Sequence, residues 1–139
     1  MNKGVIDSAS YDVIVLEQIK LVSLIGVNEW ERRTPKQLKL DLTLAVDTAA
    51  AAQTDALSET LDYSAVVALV VSFTGESEFQ LLEALAEGIA DQVLETYSVP
   101  WVRLKLTKPG VMSGVEAVSL IIERIHPEAE SFSRARLPL

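Results

Sequence analysis

The sequence contains no cysteine and only one histidine, His126, among its 139 residues. The absence of thiols excludes a disulfide scaffold, an iron–sulfur cluster, a thiol nucleophile and every zinc site that needs thiolates. A single histidine also excludes metal sites built from several histidines. The six glycines of the sequence form no Gly-x-Gly-x-x-Gly motif, and no phosphate-binding loop ending in Gly-Lys-Ser/Thr is present. The usual supports for metal and nucleotide binding are therefore missing.

Basic residues are also scarce, and the net charge is −8. This balance argues against a nucleic-acid partner and against a polybasic membrane-surface protein, because both depend on Lys and Arg meeting phosphate. No apolar run approaches the roughly 18 residues of a spanning helix, and the first residues lack the apolar region of a secretory signal. We therefore expect a cytoplasmic domain at residues 12–126, between tails at 1–11 and 127–139, that binds a small ligand.

The hydrophobic pattern predicts strands at both ends of this domain and helices in the middle. Leu38, Leu40, Leu42, Leu44 and Val46 alternate with polar or small residues, which indicates a strand with one buried face. Strands are predicted at 12–27 (one long strand or two joined by a bulge), 37–47, 101–107 and 115–125. After an expected loop beyond Asp47, one helix follows Asp62 and ends at Gly75, and a second begins at a capping box, 77–80, and ends at Ser98.

This order predicts an α+β domain with an antiparallel four-stranded sheet and both helices on one face. The polar side of the second strand must then face water or another subunit. An open sheet leaves two edges unpaired, and sheets that join across subunits into a closed barrel would cover those edges. We therefore expect a homo-oligomer.

Few residues remain that could carry chemistry, and each has an ordinary explanation when taken alone. Lys108 follows a strand in Lys108-Pro109-Gly110, where a solvated lysine in a turn is the simplest interpretation. Glu31 lies in a loop rich in basic residues and is expected to be exposed, and Tyr63 suits a half-buried packing position. A row of acidic residues, Glu83, Glu87, Asp91 and Glu95, is spaced as one solvated helix face. A serine triad would need His126 at a frayed strand end, which we do not expect.

Five segments, taken in order, are similar to one enzyme family. They are 25–32 (Ile-Gly-Val-Asn-Glu-Trp-Glu-Arg), 61–64 (Leu-Asp-Tyr-Ser), 80–87 (Gln-Leu-Leu-Glu-Ala-Leu-Ala-Glu), 101–110 (Trp-Val-Arg-Leu-Lys-Leu-Thr-Lys-Pro-Gly) and 121–124 (Ile-Ile-Glu-Arg). On these segments the chain resembles the dihydroneopterin aldolases of folate biosynthesis. The resemblance implies the tunnelling fold, in which subunits join their sheets into barrels, commonly two stacked rings of four, with the active site between neighbouring subunits.

The same resemblance implies a reaction and the residues that carry it. The reaction is retro-aldol cleavage of 7,8-dihydroneopterin into 6-hydroxymethyl-7,8-dihydropterin and glycolaldehyde, with no metal, no cofactor and no lysine Schiff base. Lys108 matches the catalytic lysine and Glu31 the glutamate that works with it, and Tyr63 matches a tyrosine from the adjacent subunit. Glu83 matches the glutamate that anchors the pterin, and Leu82 is expected to offer a backbone contact.

Three points stay open at this level. An ionised Glu31 in contact with Lys108 would oppose loss of the lysine's proton, so we expect Glu31 to act at a distance or the two to titrate as one unit. The turn at 110–114 departs from the family pattern. The alternatives are a dihydroneopterin or dihydroneopterin triphosphate 2′-epimerase and, as a different class, a pterin-binding barrel without activity.

Overall fold

Residues 11–129 and 131–139 are described by a computed structural model, and they form one sheet with helices on one side. The strands are β1 (Asp12–Ser23), β2 (Lys36–Val46), β3 (Trp101–Met112) and β4 (Val115–Ile125). They pair antiparallel in the order β1-β2-β3-β4. The helices are α1 (Ala49–Thr54), α2 (Tyr63–Glu76) and α3 (Leu82–Tyr97). The predicted α+β fold, with a four-stranded antiparallel sheet and two long helices, is confirmed.

The main core lies between the sheet and the two long helices, with α2 against β1 and α3 against β3 and β4. The alternating leucines of β2 supply its centre, and Leu40, Leu42 and Leu44 are fully buried. Facing them, α3 buries Leu85, Ile89 and Val93, as its sequence spacing predicts. Each such side chain contributes about 1.5–3 kcal/mol on burial. This packing holds β3 and α3, which carry candidate site residues, in a fixed relation.

A β-bulge divides β1, which explains its irregular pattern. Pairing passes from Leu16 opposite Leu42 to Ile19 opposite Leu40, so β1 contains one extra residue. Gln18 adopts φ +55, and its backbone N–H donates to Asp41 Oδ1 at 3.1 Å. The extra residue changes the phase of alternation, so Leu16 and Ile19 both face the core. Of the two predicted alternatives, one long strand or two joined by a bulge, the structure shows the bulge, although the strand ends at Ser23 and not at Val27.

Two local predictions about the helical region are wrong. The expected loop after Asp47 contains α1, because its alanines have the highest helix propensity. The capping box at 77–80 does not form, since α3 begins at Leu82 without a side-chain cap. Ser77 instead closes α2: its backbone N–H donates to the Thr74 carbonyl at 3.1 Å and its hydroxyl to the Phe73 carbonyl at 2.6 Å. No helix of residues 11–129 and 131–139 is long and apolar enough to cross a membrane.

The opposite face of the sheet carries a second, smaller cluster formed by the segment after β4. Ala129, Phe132 and Leu137 pack with Trp101 and with Tyr11 and Ala45, all of them buried. Ala129, Phe132 and Leu137 of the predicted C-terminal tail, 127–139, are therefore packed against the sheet. The expectation that this side of β2 meets only water or another subunit is wrong at the Ala45 end. The predicted N-terminal tail, 1–11, lies outside the described residues except for its last position.

Candidate active site

Lys108 lies inside β3 and pairs with Val118 of β4. The prediction that the Lys108-Pro109-Gly110 segment follows the strand is wrong, because β3 continues to Met112. The strand tolerates Pro109 since β2 pairs with β3 only as far as Thr107, and the β3–β4 register shifts beyond Pro109. The Lys108 side chain is 14% exposed. β3 thus holds the largely buried side chain of Lys108 near the end of the strand.

Glu31 lies on a turn of 3-10 helix, Glu29–Arg33, between β1 and β2. Gly26, which precedes this turn, has φ +142. A Cβ atom on Gly26 would lie 2.5 Å from Glu31 Cβ and 2.9 Å from Glu31 Oε2. Because real atoms do not approach so closely, only glycine at this position leaves room for Glu31. The side chain of Glu31 is 17% exposed.

The two oxygens of the Glu31 carboxylate have different partners. Oε1 accepts from the Asn28 backbone N–H at 3.2 Å and from the Asn28 side-chain amide at 2.8 Å. Oε2 accepts from Lys108 Nζ at 3.3 Å. The backbone N–H of Asn28 contributes most to lowering the pKa of Glu31, partial burial opposes it, and the Asn28 amide and the Lys108 ammonium lower the pKa further. Glu31 is therefore a stabilised carboxylate.

The structure brings the predicted acid–base pair together. Lys108 and Glu31 are 77 positions apart in the sequence and are joined in an ion pair between β3 and the turn after β1. The expectation that Glu31 acts at a distance does not describe this arrangement, in which the two groups touch. The other expectation, that they titrate as one unit, stays a prediction.

A cavity of about 230 Å³ opens beside this ion pair. Its walls include Trp30, Glu31, Lys36, Gln37, Lys108 and Val111. Two amines and one carboxylate make its lining locally cationic, although the whole chain carries a net charge of −8. Within the described residues no group of three or more His, Cys, Asp or Glu side chains could hold a metal. The cavity thus offers proton-carrying groups to a small ligand.

Four of these lining residues were not predicted as site residues: Trp30, Lys36, Gln37 and Val111. Trp30 lies within the segment 25–32 that carries the resemblance, and Gln37 is the first residue of the strand predicted at 37–47. Trp30 is 65% exposed and lines the cavity. Lys36, the first residue of β2, gave no signal in the sequence, because a lysine at a strand end is ordinarily solvated. Their position follows from the pairing of β1, β2 and β3, which only the fold defines.

Leu82 and Glu83 lie at the start of α3 and are not among the residues that line this cavity. Leu82 is half-buried against the core, and Glu83 is exposed in the first helical turn. The positive end of the helix dipole stabilises a negative charge at such a position. The single chain therefore presents Glu83 to solvent and not inside the cavity of Lys108.

Arg32 joins the turn of Glu31 to the segment that leads into α3. Its guanidinium donates to the carbonyl oxygens of Gly26 at 3.3 Å, Phe79 at 3.3 Å and Glu78 at 2.7 Å. Because the last two carbonyls precede Glu83 by only a few residues, one side chain links the acid–base pair to the start of α3. Sequence reasoning missed this role, since the contacts span 46 and 47 positions.

Tyr63, the first residue of α2, is 56% exposed and does not line the cavity. Its backbone position is fixed by Asp62, whose side chain caps the helix by accepting from the Ala65 N–H at 3.2 Å. The expected half-buried packing role of Tyr63 is wrong, because more than half of its surface meets solvent.

The row of acidic residues on α3 is not uniformly solvated. Glu87 forms an ion pair with Arg124 of β4. Arg124 Nε donates to both carboxylate oxygens of Glu87, at 2.8 and 3.1 Å, and Nη2 donates to Oε1 at 2.5 Å. This two-pronged pair fastens α3 to β4 one helical turn after Glu83. Glu87 thus keeps 47% of its side chain exposed but has an ion-pair partner, which the sequence spacing did not predict because Arg124 is distant in sequence.

Comparison with known proteins decides the family. The sequence profile of the dihydroneopterin aldolases (FolB) matches residues 14–123 of this chain. The chain belongs to the dihydroneopterin aldolase family. It is 36% identical over 113 residues to the dihydroneopterin aldolase of Escherichia coli K12, a match that covers 81% of this chain and 93% of the relative. The resemblance inferred from the sequence is thereby confirmed.

Solved structures place this dihydroneopterin aldolase family member in the same fold group. A structure from Vibrio cholerae assigned to dihydroneopterin aldolase superposes with a TM-score of 0.81 at 37% identity, covering 84% of this chain and 98% of the other. The E. coli dihydroneopterin aldolase in complex with neopterin gives 0.78 at 36%, covering 81% and 98%. The subunit fold predicted from the resemblance, a four-stranded antiparallel sheet with helices, is confirmed, whereas the joining of sheets across subunits stays a prediction. The dihydroneopterin triphosphate 2′-epimerase of Pseudomonas aeruginosa is less similar, at 25% identity over 109 residues, 78% of this chain and 89% of the relative.

Proposed function

We propose that this chain is a lyase that cleaves 7,8-dihydroneopterin into 6-hydroxymethyl-7,8-dihydropterin and glycolaldehyde. The observation that carries the proposal is the contact of Lys108 Nζ with Glu31 Oε2 at 3.3 Å, beside a cavity of about 230 Å³. Membership of the dihydroneopterin aldolase family supplies the substrate class. Residues 12–126 form the proposed catalytic domain, and the cytoplasmic location expected from the sequence stays a prediction.

The chemistry of the substrate explains why proton transfer suffices. Removal of the 2′-hydroxyl proton lets the C1′–C2′ bond break as the aldehyde C=O forms. The bonding electrons pass into the C6=N5 imine, which leaves an enol-like double bond between C6 and C1′. Protonation at C1′ then gives the hydroxymethyl product. A protein that cleaves this bond has to accept one proton and return one.

The ion pair of Lys108 and Glu31 is suited to carry that proton. In the charged state the proton is on Lys108, and its transfer to Glu31 would give a neutral amine and a carboxylic acid within the same contact. The neutral amine is the proposed base toward the 2′-hydroxyl.

Two further roles concern the pterin ring and the returning proton. The exposed Glu83 carboxylate is proposed to accept hydrogen bonds from the 2-amino group and N3–H of the ring, with Leu82 adding a backbone contact. Tyr63 is proposed to act in the site of the adjacent subunit, where its hydroxyl helps to protonate the intermediate. Its 56% exposure supports this role, since the tyrosine of one chain is open to a neighbour.

The edges of the sheet support assembly of subunits into a ring. β1 and β4 are the outer strands, and each has a side without a partner strand in the described chain. Both strands expose apolar side chains: Val15 and Val22 on β1, and Val115, Ile121 and Ile125 on β4, each 40–49% exposed. Pairing of β1 with β4 of the next copy would cover these residues and close a barrel. We propose a tetrameric ring or an octamer of two rings.

The experiment is incubation of the purified protein with 7,8-dihydroneopterin, with chromatographic detection of the pterins and a chemical assay for glycolaldehyde. The expected result is equal amounts of glycolaldehyde and the 6-hydroxymethyl product. Formation of the 2′-epimer without glycolaldehyde would assign the epimerase reaction instead. Pterin binding without turnover would indicate a non-catalytic barrel, and native mass spectrometry of the same sample counts the subunits.

A further inference from the structure

Glu31 is held differently at its two carboxylate oxygens. Lys108 contacts Oε2, whereas Oε1 is occupied by two donors from a single residue, the backbone N–H and the side-chain amide of Asn28. The Glu31 backbone N–H in turn donates to the Asn28 carbonyl at 3.0 Å. Asn28 and Glu31 therefore bind each other through three hydrogen bonds across one turn.

We propose that Asn28 is a positioning residue, which holds Glu31 Oε1 so that Oε2 alone is presented to Lys108. The proposal rests on the proposed aldolase function, because the value of this arrangement is the transfer of a proton between Glu31 and Lys108. Asn28 itself is exposed and is not among the residues that line the cavity, so it acts on the reaction through Glu31.

The surroundings of the carboxylate show why a second constraint matters. Gly26 lies against Glu31 with room for no more than a hydrogen atom, so the side chain is confined on that side. On the other side lies the open cavity. Without a hydrogen-bond partner there, the carboxylate could rotate about its terminal torsion at little energetic cost. Asn28 supplies that partner. An unheld carboxylate could turn toward Lys36, which also lines the cavity, and leave Lys108.

The charged groups around Glu31 come from three elements. Lys108 faces it from β3, and Lys36 of β2 lines the same cavity. Arg32 on its own turn is directed to backbone carbonyls. Both hydrogen bonds from Asn28 lower the pKa of Glu31, and the backbone one has the larger effect. Removing only the side chain should therefore raise the pKa of Glu31 in part, because the backbone N–H remains.

The test compares Asn28→Ala with wild type and with Glu29→Gln, a matched change at an exposed residue of the same turn. For Asn28→Ala we expect kcat/KM for dihydroneopterin to fall about tenfold at neutral pH, with unchanged neopterin affinity. The acidic limb of its pH profile should move to higher pH. Asn28→Asp should move the limb further, because it places a second negative charge beside Glu31. Glu29→Gln should match wild type.

A double-mutant cycle separates positioning from general damage. In a Glu31→Gln background, Asn28→Ala should cause no further loss, since its target is gone. An equal loss in both backgrounds would overturn the proposal. Carbon NMR of the Glu31 carboxyl provides a readout that needs no turnover: its titration should move to higher pH in Asn28→Ala. An unmoved titration refutes the role of Asn28, whereas a wild-type protein that cleaves no dihydroneopterin refutes the proposed function.

Discussion

Replacement of Gly26 by alanine should displace the Glu31 carboxylate and so lower activity, although Gly26 itself does not line the cavity. The added Cβ would meet Glu31 Cβ at 2.5 Å and Oε2 at 2.9 Å. Carbon atoms in contact are about 3.5–4.0 Å apart, so the Glu31 side chain must move by about 1 Å. A displacement of that size at a catalytic group costs about 100-fold in rate. We therefore expect kcat/KM of Gly26→Ala to fall about 100-fold.

The assay has to separate the displaced carboxylate from backbone strain, since φ +142 at Gly26 is itself unfavourable for alanine. Gly114→Ala is the matched control, because Gly114 also has a positive φ, +85, but a Cβ there meets nothing within 4 Å. Both variants should lose about 1–3 kcal/mol of stability from strain. Only Gly26→Ala should lose activity.

Neopterin affinity and thermal unfolding complete the measurement. Gly26→Ala should bind neopterin like wild type, because Glu83 is proposed to hold the ring and is not displaced. A folded Gly26→Ala protein with wild-type kcat/KM would show that Glu31 need not occupy the observed position. Equal activity losses in Gly26→Ala and Gly114→Ala would attribute the effect to strain.

Three further predictions concern charged groups. Lys108→Ala should lower kcat by about 100-fold or more and leave neopterin binding largely intact, because it removes a proton-transfer group. Glu83→Ala should chiefly weaken neopterin binding. Steady-state kinetics measures kcat and calorimetry measures binding, and equal losses of both quantities in both variants would contradict these roles. Folding lowers the pKa of Glu31 from its ordinary 4.5, so ionised Glu31 stabilises the protein above that pH and its contribution disappears as the pH falls through the folded value. Urea unfolding between about pH 3 and 7 should show Glu31→Gln less stable than wild type at neutral pH and similar to it in acid; a constant difference would exclude this linkage. Arg124→Ala should lower stability by only about 0.5–1 kcal/mol, because both partners of the pair with Glu87 are more than 40% exposed. Thermal unfolding measures this change, and a much larger loss would mean that the pair is effectively buried.

Periodic segments made the fold predictable. The leucines of β2 alternate with other residues over the whole strand, and the apolar residues of α3 recur at the spacing of one helix face. In both elements these repeats correctly identify the residues that are buried. The capping box was misjudged because Ser77 can serve either adjoining helix, and its hydroxyl is used by α2. The end of β3 was misplaced because Pro109 interrupts the hydrophobic pattern but not the strand: it still pairs with Ala117 of β4, and the pairing of β3 with β2 has already ended at Thr107.

The candidate site was predictable as a set of residues but not as an arrangement. The resemblance to a family pointed to Lys108 and Glu31, and the structure joins them at 3.3 Å. It could not supply the hydrogen bonds of Asn28 to one oxygen of Glu31, or the three carbonyls held by Arg32. The contacts of Arg32 with Glu78 and Phe79 depend on how the turn folds onto a segment 46 and 47 positions away, which no local period encodes. The contact of Asn28 with Glu31, three positions apart, depends on the conformation of the turn itself.

The bulge in β1 makes the outer edge of the sheet selective. The two halves of β1 alternate in different phases around Gln18, and Asp41 fixes the bulge by accepting its N–H. A regular strand of another chain could therefore pair with only half of β1, because its hydrogen-bond register would not match beyond the bulge. A strand shaped to the same interruption could follow it throughout. The bulge thus favours pairing of this edge with a strand of matching shape over pairing with a regular one, which is how irregular edge strands limit unspecific association.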